Sequence, residues 1–329
     1  MSESTALKSG LPADQAPIVI IIFKRPDCVR ELISKLRILR PPRIYVIADG
    51  ARPDRPEERA ACEAARAEIK RIDWECDVER IYEDMNLGCA NRVSSGITEV
   101  LRREERIIIL EEDCIPDPSF FKYCNELLQM YRSDERVMAV TGQSPFCAGT
   151  SPSSAEPSYF FSRYALCWGW ATWRRAWKHY DHEMGAWPRL GADGAAQLRA
   201  ILEGNVPLTR YWAKRFERVY RGEVDSWAYR WTLSCWARGG LVAVPRRNLV
   251  QNVGFDNELS THTRRQHRYL SLPAGTMPFP LRHPDLVVRD AAGDRAIEYR
   301  NFHYRLSDKL RAVFLQSLSF LSGSHKLIK

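Results

Sequence analysis

Residues 106–121, RIIILEEDCIPDPSFF, set three carboxylates, Glu111, Glu112 and Asp113, directly behind an apolar β-branched run. Neighbouring carboxylates repel one another, and a bound cation is the simplest reason to keep them adjacent. Oxygen donors favour hard ions such as Mg2+ or Mn2+. Such an ion can hold a diphosphate and stabilise its departure. A solvated acidic turn is the alternative, and the position at a strand end favours the metal. A second group lies in 223–231, EVDSWAYRW. There Asp225, with Glu223 behind it, precedes aromatic residues that would partly desolvate a carboxylate. That setting suits a general base taking the proton of an attacking hydroxyl. The other role open to Asp225 is to cap the helix expected from Trp227. His262, within Ser-Thr-His-Thr, is a candidate second metal ligand or diphosphate contact, and Arg264 and Arg265 beside it could neutralise phosphate. Lys24 and Arg25 are further cations for phosphate. Asn86, Gly88 and Arg92 stand where a loop enters a helix, a good place for an anion. Trp168, Trp170 and Trp227 are candidates to contact an acceptor, because aromatic rings suit the apolar faces of sugars.

The elements that must position these groups are legible in the hydrophobic pattern. PIVIIIF at 17–23 reads as a buried strand, and RIYVIA at 43–48 as a second one ending in the Asp49-Gly50 turn. Between them Val29, Leu32, Ile33, Leu36 and Leu39 recur at helical spacing until Pro41 and Pro42 stop the helix. Residues 56–72 predict an exposed helix and 76–82 a third strand. NLGCANRVSSGITEVLRRE is a loop running into a helix, and 106–110 is a fourth strand. A helix at 118–132 and a strand at 137–141 follow. Strands separated by helices imply a parallel sheet covered on both faces. In such sheets ligands bind beyond the carboxyl ends of the strands, which selects Phe23 to Asp27, Asp49, and Glu111 to Asp113.

The second half differs in character, with nine of the ten tryptophans between Trp168 and Trp236. Residues 191–222 predict a helix and 241–245 a late strand. From Leu306, apolar Leu310, Val313, Phe314, Leu318 and Leu321 recur at helical spacing, with Lys309, Arg311, Lys326 and Lys329 at their flanks. That pattern predicts either a helix packed on the rest of the chain or an element lying at a membrane interface.

The 329 residues are 45% hydrophobic and 27% charged, enough for a substantial core without staples. The nine cysteines are scattered and odd in number, with no CxxC pair, which argues for a reducing compartment over a zinc or disulfide framework. MSESTALKSGLPADQAP carries no apolar core, so no secretory leader is expected and a cytoplasmic location fits. The formal net charge of +8 is spread along the chain rather than blocked on a recognisable module. It points to anionic small molecules or an anionic membrane surface rather than nucleic acid. There is no GxxxxGK[ST] and no strand-linked GxGxxG, so P-loop and dinucleotide readings lack support.

The acidic segment resembles the metal-binding motif of GT-A glycosyltransferases. It is most similar to the Glu-Asp-Asp form of bacterial family-2-like transferases and of the N-acetylglucosaminyltransferase I type. IVIIIFKRPDCVRELISKL, NLGCANRVSSGI, WGWATWRRAW, DSWAYRW and QNVGFDNELSTHT agree in order, over about residues 17–265. The resemblance implies an α/β GT-A fold, a Rossmann-like mixed sheet flanked by helices. It divides the chain into a flexible segment 1–16, a catalytic domain 17–305 and an amphipathic tail 306–329. Within the domain, 17–145 form the nucleotide-sugar half and 146–305 the acceptor half. It implies a metal-dependent, inverting hexosyl transfer from a nucleoside diphosphate sugar, UDP foremost, to a saccharide or lipid-linked acceptor in surface polysaccharide or glycolipid synthesis. Peripheral contact with the inner membrane face would bring the enzyme to such an acceptor. Asp113 is then the direct metal ligand, with Glu112 and His262. Phe23, Lys24, Arg25, Asn86, Gly88, Arg92, Glu111 and Glu112 hold the donor, and Asp49 accepts from the nucleobase imide. Two positions depart from the pattern: Glu112 stands where relatives usually carry Asp, and Ala228 where they carry a further Asp. A sugar nucleotidyltransferase would carry a glycine-rich loop after the first strand, which FKRPDCV lacks. A catalytically inactive carbohydrate-binding protein is the other rival, favoured by Ala228 and opposed by the intact triplet.

Overall fold

The computed structural model describes residues 15–146, 156–254 and 272–302. The chain begins with β1 (Ile18–Ile22), five buried residues, and turns into α1 (Pro26–Leu39). Pro26 at the first helical position has the φ a helix needs and no amide to leave unpaired. Arg40 ends the helix in the left-handed conformation, donating its amide to the Leu36 carbonyl. β2 (Arg43–Ala48), α2 (Glu58–Glu68), β3 (Asp77–Tyr82), α3 (Cys89–Arg103) and β4 (Arg106–Glu111) follow. β1, β2 and β4 are buried on both faces apart from their ends, as their continuous Ile/Val/Leu runs require.

Beyond β4 come β5 (Cys114–Pro116), α4 (Ser119–Met130), β6 (Val137–Thr141), β7 (Tyr159–Ser162) and β8 (Trp170–Trp173). Then follow α5 (Arg174–Trp177), α6 (Trp187–Leu190), α7 (Ala192–Ile201), α8 (Val206–Tyr220), α9 (Trp227–Ala237), β9 (Leu241–Pro245), β10 (Val250–Asn252) and α10 (Ala291–Asn301). The main sheet has eight strands in the order β3-β2-β1-β4-β8-β6-β9-β7. The first four are mutually parallel, as the alternation predicted. β8 then enters antiparallel between β4 and β6, so the whole sheet is mixed. The chain is thus a mixed α/β protein, and strands from both halves share one sheet.

The helix expected over 191–222 is two helices. Gly204 adopts φ 79° and Asn205 caps α8 with its side chain on the Leu208 amide, so the chain turns there. β8 was hidden in the tryptophan-rich block. Its four residues are all buried, and the aromatic run that obscured it is what a strand inside a sheet requires. Ala16, assigned to the leading segment, is buried and donates its amide to Asn125 Oδ1. Most of that segment and the whole tail 306–329 lie outside the described residues. Among the described residues no helix is long and apolar enough to cross a membrane.

Candidate donor and catalytic cleft

At the carboxyl ends of β1, β2 and β4 a cleft of about 330 Å3 is lined by Phe23, Lys24, Arg25, Asp49, Arg52, Asn86, Gly88, Cys89, Arg92, Glu111, Glu112 and Asp225, among others. Five separate chain segments therefore meet here, three of them at the strand ends where ligands of such sheets bind.

Arg25 organises the acidic end. It stands at the N-cap of α1, yet its side chain caps nothing. Its guanidinium instead donates from Nε to Glu112 Oε1 at 2.6 Å and from Nη1 to Asp113 Oδ2 at 2.9 Å. The other oxygen of Glu112 accepts the Phe23 amide at 2.7 Å. Glu112, expected as a metal ligand, is buried with one hydrogen bond on each oxygen, to the Phe23 amide and to Arg25, and so holds the loop after β1. Burial works against the Arg25 charge, but Asp113 and Glu112 outweigh it and hold the guanidinium charged. Burial also pushes the Glu112 carboxyl up, against the pull of Arg25.

Asp113 is 5% exposed and does not line the cleft directly. β10 pairs with β5 beside it, and Gly254 closes over it so tightly that an added Cβ would stand 2.1 Å from Asp113 Oδ2. Asp113 Oδ1 accepts the Cys114 thiol at 3.7 Å. Among the described residues no group of three His, Cys, Asp or Glu side chains is arranged to hold a metal. The donor set nonetheless suits a hard cation. Three carboxylates lie around one guanidinium, and among the described residues Asp113 Oδ1 has only the Cys114 thiol as a hydrogen-bond partner. His262, Arg264 and Arg265 lie outside the described residues.

Glu111 lies at the end of β4 with Asp113, Arg25 and the Trp227 side chain around it. Burial, and then Asp113, push its carboxyl up to about 7. A raised folded-state pKa means the folded protein keeps a proton that the unfolded chain has already lost. Stability therefore falls as pH rises from about 4.5 to about 7, and Glu111→Gln flattens that slope, as melting curves across this range will read.

Asp49 closes the opposite end. Its Oδ1 accepts the amides of Gly50 and Leu87, and its Oδ2 accepts the amide of Gly88 and Nδ2 of Asn86, all at 2.9–3.1 Å. A carboxylate offers about four acceptor positions, and all four are filled. This corrects the nucleobase role. Asp49 is the anchor of loop 86–88, and Asn86, which also donates to the Gly50 carbonyl, is committed to the same task. Burial pushes the Asp49 carboxyl up while its amide bonds pull it down.

Among the donor-side cations, Lys24 is buried and paired with Glu58 at 2.6 Å, so the phosphate contact expected of it is already spent on a carboxylate. Arg52 joins the same Glu58, whose carboxyl is lowered to about 2, first by Arg52. Both cations approach the Phe23 ring, at 5.5 Å and 6.0 Å from its centroid. The sequence reading missed Arg52 and Glu58, although Arg52 follows a strand end and the same rule would have found it. Arg92 is buried, donates to the Ile81 carbonyl, and has its Nε without a partner among the described residues. Burial lowers its pKa.

Asp225 comes from the turn before α9 and remains solvent-accessible. It does not cap its own helix. Ser226 does that, with its side chain on the Tyr229 amide. Asp225 Oδ1 instead accepts the Ala90 amide at 3.0 Å, at the start of α3. α3 has no acidic residue in its first turn, so Asp225 supplies from a distant segment the negative charge a helix N-terminus favours. Gly88 makes this approach possible. Its φ of 83° and ψ of 159° lie in a region occupied essentially by glycine alone. A Cβ there would stand 2.8 Å from Asp225 Oδ2. Gly88→Ala should cost about 1–3 kcal/mol in stability and also displace the carboxylate. Chemical denaturation reads the first effect, and turnover of the folded fraction reads the second.

Glu223 is exposed, paired with Arg218 at 3.2 Å, and does not line the cleft. Trp170 is buried at 2% exposure among Trp177, Trp227 and Trp231, which removes it from any acceptor-facing surface. Trp227 is equally buried and stacks on Trp170 at 5.3 Å, so its faces serve the core. Trp168 is half-buried, packed against the core, and is not part of the cleft lining.

No family model and no curated protein matches this sequence. Among solved structures the chain is similar to GalNAc-T7 with UDP, GalNAc and Mn2+, at 10% identity and a TM-score of 0.42. That similarity covers 72% of this chain and 44% of the other, so the chain spans under half of that protein's length.

Proposed function

We propose that the protein is a GT-A-type glycosyltransferase that moves a sugar from a nucleoside diphosphate, foremost UDP, to a saccharide or lipid-linked hydroxyl with inversion. Surface polysaccharide or glycolipid assembly is the setting in which such an acceptor occurs. The observation that carries this reading is the convergence of Arg25, the acidic end of β4 and the accessible carboxylate of Asp225 around one cleft.

In this reading the donor lies along the strand ends, with its diphosphate toward the acidic end and its sugar within reach of Asp225. Arg52, paired with Glu58, and Arg92, near Glu83, are the further guanidinium groups along that path. A divalent ion, Mn2+ or Mg2+, would be held by Asp113, with His262 as a further ligand, and would supply charge to the leaving diphosphate. Asp225 takes the proton of the acceptor hydroxyl as that oxygen attacks the anomeric carbon. Its hydrogen bond to Ala90 fixes the carboxylate before the acceptor arrives.

The test is a thermal-shift panel of nucleotide sugars with Mn2+, Mg2+ or EDTA, paired with nucleotide release. A donor-dependent rise in melting temperature that requires the ion, and release that EDTA abolishes and Mn2+ or Mg2+ restores, are expected. Asp113→Ala should be inactive at every ion concentration. Full release in EDTA would exclude the ion while leaving transfer itself standing.

A further inference from the structure

The opposite edge of the sheet carries a second concavity, which the proposed transfer does not use. It has a volume of about 1030 Å3 and lies where β1, β2, β3 and β4 begin, so Pro17, Arg43, Asp77 and Arg106 are on its wall. Strands of five or six residues put it roughly 17–20 Å from the donor cleft. Seven cations line it, Arg43, Arg103, Arg106, Arg132, Arg174, Arg175 and Lys178, against the carboxylates Asp77, Glu104 and Glu105. Arg43 is paired with Asp77 and Glu104, and Arg103 with Glu79 and Glu99.

The remaining wall is different. Arg174 donates to the carbonyls of Leu101 and Glu104, and Arg175 to those of Arg132, Val137 and Tyr131. Main-chain carbonyls orient these guanidinium groups without cancelling their charge. Arg132 and Lys178 are exposed and have no carboxylate within ion-pair distance among the described residues. Among the described residues, four cations thus line one hollow without a directly paired carboxylate, and Arg132 and Arg174 keep guanidinium N–H groups to present to oxyanions.

We propose that this cavity binds an oligomer bearing several carboxylate, sulfate or phosphate groups, at a site separate from the donor cleft. Its volume exceeds what one phosphate needs. Its concavity suits a chain that enters it, whereas a flat bilayer would touch only the rim. Trp173, the aromatic residue on its wall, is 3% exposed, so no ring is offered for stacking bases, and recognition rests on charge.

The test uses the full chain and a fluorescein-labelled, heparin-derived oligosaccharide at low ionic strength. Arg132→Glu/Lys178→Glu alters two side chains that bond to nothing else described. Arg210→Glu/Lys214→Glu, on the exposed side of α8, makes the same charge change far away. Wild type and the α8 variant should bind alike, with affinity falling as salt is added. The cavity variant should bind at least about tenfold more weakly, since juxtaposed like charges are strongly unfavourable, while keeping the wild-type melting temperature. Three results would each overturn the proposal. These are no binding by wild type at low salt, equal loss in both double variants, or capture by phosphatidylglycerol vesicles without oligosaccharide binding.

Discussion

Asp225→Asn should lower kcat by about 10²-fold or more, because a positioned base contributes on that order. Asparagine is nearly the same shape and keeps an oxygen for the Ala90 amide, so the cap on α3 survives. What it loses is the capacity to accept a proton from the acceptor. Donor affinity, measured by calorimetric titration with a UDP-sugar, should therefore stay close to wild type while turnover collapses. Asp225→Ala removes the cap as well, and should lose both turnover and stability, the latter by about 1 kcal/mol. If the asparagine variant turns over normally, Asp225 is a cap alone. Glu223 is then no ready substitute, because it is exposed and paired with Arg218 outside the cleft.

Arg25→Met should be the most destabilising substitution at the site, by about 3–5 kcal/mol. The loss is not that of one ion pair. Arg25 is the cation shared by Glu112 and Asp113, and removing it leaves two buried carboxylates facing each other and Glu111. Burial already raises the carboxyls of Glu111 and Glu112, and loss of the cation removes what opposes it. Their penalty is absent at low pH, where all are protonated, and appears as pH rises through the carboxylate range. The gap in melting temperature between wild type and Arg25→Met should accordingly narrow from pH 8 toward pH 5. A gap independent of pH would mean that Arg25 contributes packing rather than charge.

The parallel half of the sheet was legible because its strands are continuous apolar runs ending in turn signals, and the periodicity changes cleanly to helical between them. The aromatic half was not. Trp170 to Trp173 are buried as a strand, but a tryptophan block reads equally well as a binding wall, and burial decides between the two only after folding. The same limit explains the site. Strand-end position brought Phe23, Arg25, Asp49, Glu111 and Glu112 to the cleft, and the sequence also pointed to Asp225. It could not tell which carboxylates face outward. Asp49 has its acceptor positions filled by Gly50 and by loop 86–88, and Glu112 is bonded to the Phe23 amide and Arg25, contacts that only the folded chain brings together. Nor could it reveal that Asp225 caps a helix 135 residues away, because that contact depends on the backbone of Gly88 rather than on any local motif.

The most direct test of the central claim is release of nucleotide from UDP-sugars by the wild-type chain in Mn2+ without acceptor. Slow release from at least one donor, abolished by EDTA, is the expected result. Asp225→Asn should leave donor binding intact and suppress the faster transfer seen when a saccharide acceptor is supplied. Absence of both binding and release across a panel of UDP-, GDP-, CMP- and dTDP-linked sugars, with the protein folded, would contradict the account.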